Sequence, residues 1–123
     1  MAKILVIEDE QMMLKALEFR LKKDGHQVLV ASNGKEAMTT IESNQLDLIL
    51  TDIMLPFASG LEIINYSKNI LNRPTAIIIL SAVGLEKTVL EAFELGADDF
   101  ITKPFSPNEL SVRVKKILLR TKS

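Results

Sequence analysis

The chain has no cysteine and no tryptophan, one histidine, one tyrosine, four prolines and five glycines. Without cysteine there are no disulfides, no thiolate metal sites and no cysteine nucleophile. Little proline and glycine among 123 residues leaves no obvious linker, so a single domain covering residues 1–123 is expected. A net charge of −1 gives no electrostatic case for nucleic acid or an anionic membrane. Long hydrophobic runs are also missing. Ala76-Ile77-Ile78-Ile79-Leu80 falls far short of the ~20 residues that span a bilayer. Met1-Ala2-Lys3 leads into only four apolar residues before acids appear, too few for the core of a signal peptide. A cytoplasmic protein with no membrane partner is expected.

What is present is ordinary in amount and regular in order. Hydrophobic residues make up 47% and charged residues 25%, as in a folded globular domain. Strand-like stretches near 3–7, 27–31, 46–51, 75–80 and 98–102 alternate with helix-like stretches near 11–23, 34–43, 60–71, 85–95 and 107–120. The third and fourth strands are nearly continuous apolar runs, as expected of strands buried on both faces of a parallel sheet. Leu14, Leu17 and Leu21 follow helical spacing, as do Leu110, Val114, Ile117 and Leu118. Ser106-Pro107-Asn108-Glu109 reads as a capping box with proline at the first helical position. Ser59-Gly60-Leu61-Glu62 and Asn33-Gly34-Lys35-Glu36 carry the same capping signal. Gly25 and Gly96 fall where helices end. A five-fold βα alternation implies an α/β fold, a doubly wound parallel sheet with right-handed crossovers.

Such sheets hold their ligands outside the carboxyl ends of the strands. The first strand runs into Glu8-Asp9-Glu10, the third into Asp52, the fourth into Ser81 and the fifth into Lys103. If those tips converge, acids and one lysine share a pocket. It could hold a divalent cation and place a phosphoryl group on a carboxylate. Glu10 is expected only to complement the dipole of the first helix. The one histidine, His26, precedes the second strand and lies away from this group. A carboxylate nucleophile needs no histidine base, because it is already ionised at neutral pH.

Four segments carry a family resemblance: Ile4-Leu5-Val6-Ile7-Glu8-Asp9-Glu10, Thr51-Asp52-Ile53-Met54-Leu55-Pro56, Leu80-Ser81-Ala82, and Gly96 through Phe105 with Thr102-Lys103-Pro104. Together, in this order and spacing, they resemble the receiver domain of bacterial two-component response regulators, closest to the winged-helix transcription-factor branch. The resemblance implies a flavodoxin-like five-stranded sheet of order 2-1-3-4-5, an order for which a chemotaxis member of the family is a standard example. It implies that Asp52 accepts a phosphoryl group from a phosphohistidine on a sensor histidine kinase or phosphotransfer protein. Mg2+ or Mn2+ would be held by Glu8, Asp9, Asp52 and the backbone carbonyl of Met54. Lys103 and Ser81 would contact the phosphoryl oxygens, and Phe100 would turn inward with Ser81 as the switch. A tyrosine there would form a hydrogen bond that Phe100 cannot.

In the same branch, phosphorylation promotes a homodimer through the fourth helix, fifth strand and fifth helix. Lys87, Asp99, Glu109 and Arg113 fall at its pairing positions, whereas Val89 replaces an arginine. The ending Leu119-Arg120-Thr121-Lys122-Ser123 resembles the lead-in to a DNA-binding domain, so DNA would be read only by a domain outside this chain. Two departures stand out. Phe57 and Ser59 occupy positions where relatives often carry glycine and aspartate. An exposed Phe57 is expected to alter partner docking without blocking phosphorylation. Two other functions compete. A haloacid-dehalogenase-like aspartyl-phosphate hydrolase needs a second aspartate where Met54 stands. A flavodoxin-like electron carrier would have its FMN phosphate repelled by the strand-tip acids.

Overall fold

The computed structural model describes residues 2–121; Lys122 and Ser123, part of the expected lead-in, lie outside them. Five strands alternate with five helices: β1 Lys3–Ile7, α1 Gln11–Lys23, β2 Gln27–Ala31, α2 Gly34–Ser43, β3 Leu48–Asp52, α3 Gly60–Asn65, β4 Ala76–Ala82, α4 Glu86–Leu95, β5 Asp99–Lys103 and α5 Pro107–Thr121. All strand pairs are parallel, in the order β2-β1-β3-β4-β5. The order is the one implied by the family resemblance.

Side-chain alternation splits the core in two. Ile4, Val6, Leu48, Leu50, Ile78 and Leu80 face one side, where α1 and α5 cover them. Leu5, Ile7, Ile49, Ile77 and Ile79 face the other, under α2, α3 and α4. Period-two side chains on strands buried on both faces produce this arrangement.

The helix ends are built largely as their residues suggest. Ser59 and Glu62 form a reciprocal capping box at α3. Ser106 Oγ accepts from the Glu109 N–H at 3.0 Å. At α2, Asn33 Oδ1 accepts from the Glu36 N–H at 2.9 Å. The Glu36 carboxylate turns to the Ser32 N–H and hydroxyl instead, one residue earlier than a capping box would place it. Glu10 does more than complement a dipole: its side chain caps α1 by accepting from the Met13 N–H at 2.7 Å.

The third helix departs from the expected span of 60–71. It is α-helical only to Asn65 and continues as a π-helical turn, Tyr66–Ile70. The wider turn carries Lys68 to Asp98, Nζ to Oδ2 3.2 Å, and Asn69 to the Leu95 carbonyl. It thus ties the end of α3 to the end of α4. The third strand begins at Leu48, not 46, and the fourth and fifth run slightly later than expected.

Candidate functional site

Asp52 ends β3 between β1 and β4, so its carboxylate emerges at the centre of the sheet's carboxyl edge. Two backbone features fix that tip. The Ile53 N–H donates to the Leu80 carbonyl and the Gly60 N–H to the Ile53 carbonyl, at 3.2 and 2.7 Å. A Cβ at Gly60 would lie 2.5 Å from the Asp52 carbonyl oxygen and 2.7 Å from Ile53 Cα. Only glycine lets α3 start this close to the strand.

The expected acids converge. One oxygen each from Glu8, Asp9 and Asp52 lies within 4.8 Å of the others. Lys103, at the end of β5, places Nζ 2.6 Å from Asp52 Oδ2 and 3.0 Å from Glu8 Oε1. Glu8 is 1% exposed, and its other oxygen accepts from the Glu10 N–H at 3.1 Å. Burial pushes the Glu8 carboxyl above the ordinary carboxylate range. The Glu10 N–H and the Lys103 ammonium act against that rise, while the nearby Asp52 charge adds to it. Burial works to lower the Lys103 ammonium, but its bonds to Asp52 and Glu8 outweigh this and hold it above the ordinary lysine value.

Three carboxylates against one ammonium leave an excess of negative charge. The donors are all hard oxygens, one exposed, one half-buried and one buried. That set fits Mg2+ or Mn2+. Met54 lies two residues past Asp52, is 66% exposed, and donates its N–H to Asp52 Oδ1 at 3.3 Å.

Ser81 is buried at the end of β4, with its hydroxyl donating to the Ala82 carbonyl at 3.0 Å. Phe100 is half-buried on β5 and meets Phe93 edge-on, ring centres 5.9 Å apart. A cavity of about 240 Å³ lies between Ser81, Val89, Phe100 and Thr102. The Lys103–Pro104 peptide is cis.

The remaining expected group sits apart, on α4, β5 and α5. Arg113 Nη1 reaches Asp99 Oδ1 at 3.1 Å and the Phe100 carbonyl at 3.3 Å, and Nη2 stands 3.9 Å from Glu109 Oε2. Three of the four expected dimer residues are thus already connected within one chain. Lys87 is exposed on α4. Residue reading missed the capping role of Glu10 and the hub at Asp98. The Asp98 carboxylate accepts from the Ile77 N–H and pairs with Lys68 and Arg120. Among the described residues, no helix is long and apolar enough to cross a membrane.

A family model described as the response regulator receiver domain matches residues 4–115. The chain belongs to the response regulator receiver family. It is 40% identical over 119 residues to the alkaline phosphatase synthesis transcriptional regulatory protein PhoP of Bacillus subtilis, covering 97% of this chain and 49% of that protein. It is also 40% identical to the transcriptional regulatory protein SrrA of Staphylococcus aureus, covering 98% and 49%. The chain therefore spans about half the length of these relatives. A response regulator receiver domain from Clostridium thermocellum superposes with a TM-score of 0.91 at 34% identity, covering 99% and 98%. A two-component response regulator from Clostridium difficile superposes at 0.92 and 29% identity, each chain fully covered. The family is that of phosphorylation-controlled signalling switches acting with histidine kinases, and its receivers bind Mg2+ at an acidic pocket of this kind. The hydrolase alternative finds no support.

Proposed function

We propose that Asp52 accepts a phosphoryl group from a phosphohistidine of a sensor histidine kinase or phosphotransfer protein. An Asp52 carboxylate oxygen attacks phosphorus while the bond from phosphorus to the donor imidazole breaks. The imidazole leaves with that electron pair. The observation that carries this reading is Lys103 bonded to both Asp52 and Glu8 at the strand tips, with Asp9 beside them. Glu8, Asp9, Asp52 and the Met54 carbonyl would hold Mg2+ or Mn2+, which when bound supplies charge neutralisation between the acids and the incoming phosphoryl oxygens. Lys103 would move its hydrogen bonds onto those oxygens. Positioning and fixed charge do most of this work.

Ser81 would exchange its bond to the Ala82 carbonyl for one to a phosphoryl oxygen. Phe100 would then leave Phe93 and turn toward the cavity beside Ser81. That movement reaches the α4-β5-α5 face, where Lys87, Asp99, Glu109 and Arg113 would pair across a phosphorylation-dependent homodimer. Arg113 would have to exchange partners within the present Asp99–Arg113 pair. The chain acts as one cytoplasmic receiver domain that catalyses only its own phosphorylation and dephosphorylation. Because the relatives are transcriptional regulators of twice this length, DNA would be read by a domain outside these residues.

The test is mass spectrometry after incubation with acetyl phosphate and Mg2+. One phosphoryl group should appear on the native chain and none on Asp52→Asn. An unmodified native chain, with Mg2+ shown to bind, would overturn the reading.

A further inference from the structure

Two non-glycine residues among those described have left-handed backbone, Phe57 at φ 71° and Asn72 at φ 53°. Asparagine tolerates that region; a bulky aromatic does so only against steric cost. Phe57 sits at the centre of a tight turn closed by the Ala58 N–H on the Pro56 carbonyl at 2.9 Å, and the Gly34 N–H donates to the same carbonyl at 3.2 Å. A three-residue turn with positive φ is itself rare and strained.

The fold gains little from the ring in return. Phe57 is 84% exposed and lines one side of an open groove with Val30 of β2 and Thr39 of α2. Strain without internal packing, five residues past the reacting carboxylate, points to a use outside the molecule. Exposed Met54 lies on the same loop.

A protein donor must bring its phosphohistidine to Asp52. To do so it must cover the loop that follows Asp52 directly in the chain. A small phosphodonor need not. We infer that Phe57 is a specificity-determining residue for protein phosphodonors, its ring seating against apolar donor surface beside the phosphohistidine. This rests on Asp52 being the phosphoacceptor. The turn fixes the backbone from which the ring projects, so the donor need not order the loop on contact. Aromatic anchors that fill a pocket on the partner are among the few side chains that carry most of an interface's energy.

The experiment compares two donors on one chain. The protein donor is the autophosphorylated cytoplasmic region of a sensor kinase from the same genome, the one that transfers fastest to the native chain. The small donor is acetyl phosphate. In Phe57→Gly, whose residue suits the turn, KM for the kinase should rise about tenfold or more with kcat kept, and Phe57→Leu should restore most of the loss. Labelling by acetyl phosphate should stay within about twofold. An unchanged KM for the kinase would overturn the inference. So would a parallel fall with both donors, which would make Phe57 a loop-positioning residue. If no kinase of the genome labels the native chain, or acetyl phosphate leaves Asp52 unlabelled, the underlying phosphoacceptor reading fails instead, and the specificity role fails with it.

Discussion

Lys103 reaches Asp52 across an intervening strand. β5 and β3 are separated by β4, yet Nζ lies 2.6 Å from Asp52 Oδ2. The side chain passes over Ala82, its register partner on β4, and continues to Glu8 at the end of β1. Three of the five strand tips are joined by one ammonium. A small residue at position 82 leaves that path open.

Removing the ammonium separates structure from chemistry. In Lys103→Met, Glu8 loses its countercharge in a buried site, which pushes its carboxyl further up. Because Lys103 is itself about a quarter exposed, the expected loss is only about 1–2 kcal/mol, measurable by urea unfolding. Acetyl phosphate labelling should fall at least ~10-fold, because a positioned cation facing developing charge is lost. Labelling at the native rate would show that Lys103 serves the fold alone.

Asp9 offers the cleaner view of cation binding. It is exposed and no hydrogen bond to its side chain from the described residues supports the fold, so Asp9→Asn, which relieves repulsion among three close carboxylates, should melt at or above the native temperature without metal. Mg2+ should raise the melting point of the native chain by mass action and raise that of Asp9→Asn less. Equal Mg2+ shifts in both proteins would remove Asp9 from the ligand set.

Gly60→Ala tests how rigidly the phosphoacceptor is held. The new Cβ would meet the Asp52 carbonyl oxygen and Ile53 Cα. Both are backbone atoms, so relief requires moving either the strand tip or the start of α3. Overpacking of this kind costs about 1–3 kcal/mol. Labelling of Asp52 should fall together with stability. A stable variant labelled at the native rate would show that α3 shifts without displacing Asp52.

Much of this site was legible because strands and tips follow simple periodicities. The apolar runs ending at Ile7, Asp52 and Lys103 place the chemistry on one edge of the sheet. The order of strands was not readable from the residues and came with the resemblance. The π-helical turn at Tyr66–Ile70 was not legible either. Its sequence has no glycine or proline, and what holds it is tertiary: Lys68 on Asp98 and Asn69 on the Leu95 carbonyl. The strain at Phe57 was hinted at only by the glycine that relatives often carry there. A residue letter does not reveal its own φ.

The same π-helical turn contains the chain's one tyrosine, which makes its packing readable by absorbance. Tyr66 Oη donates to the Glu42 carboxylate on α2. That bond, followed by burial and the Glu42 charge, holds the phenol above its ordinary value, with Arg73 acting in the opposite direction. A raised phenol pKa means the folded state keeps its proton longer than the unfolded chain. The resulting stabilisation is fully present below the unfolded value of about 10. It is lost as pH rises through the folded value. Near-ultraviolet titration should therefore give a midpoint above that of free tyrosine, and Glu42→Ala should bring it down toward about 10. With no tryptophan in the chain, the signal belongs to Tyr66 alone. A midpoint unmoved by Glu42→Ala would mean that the α2 contact does not hold the turn in solution.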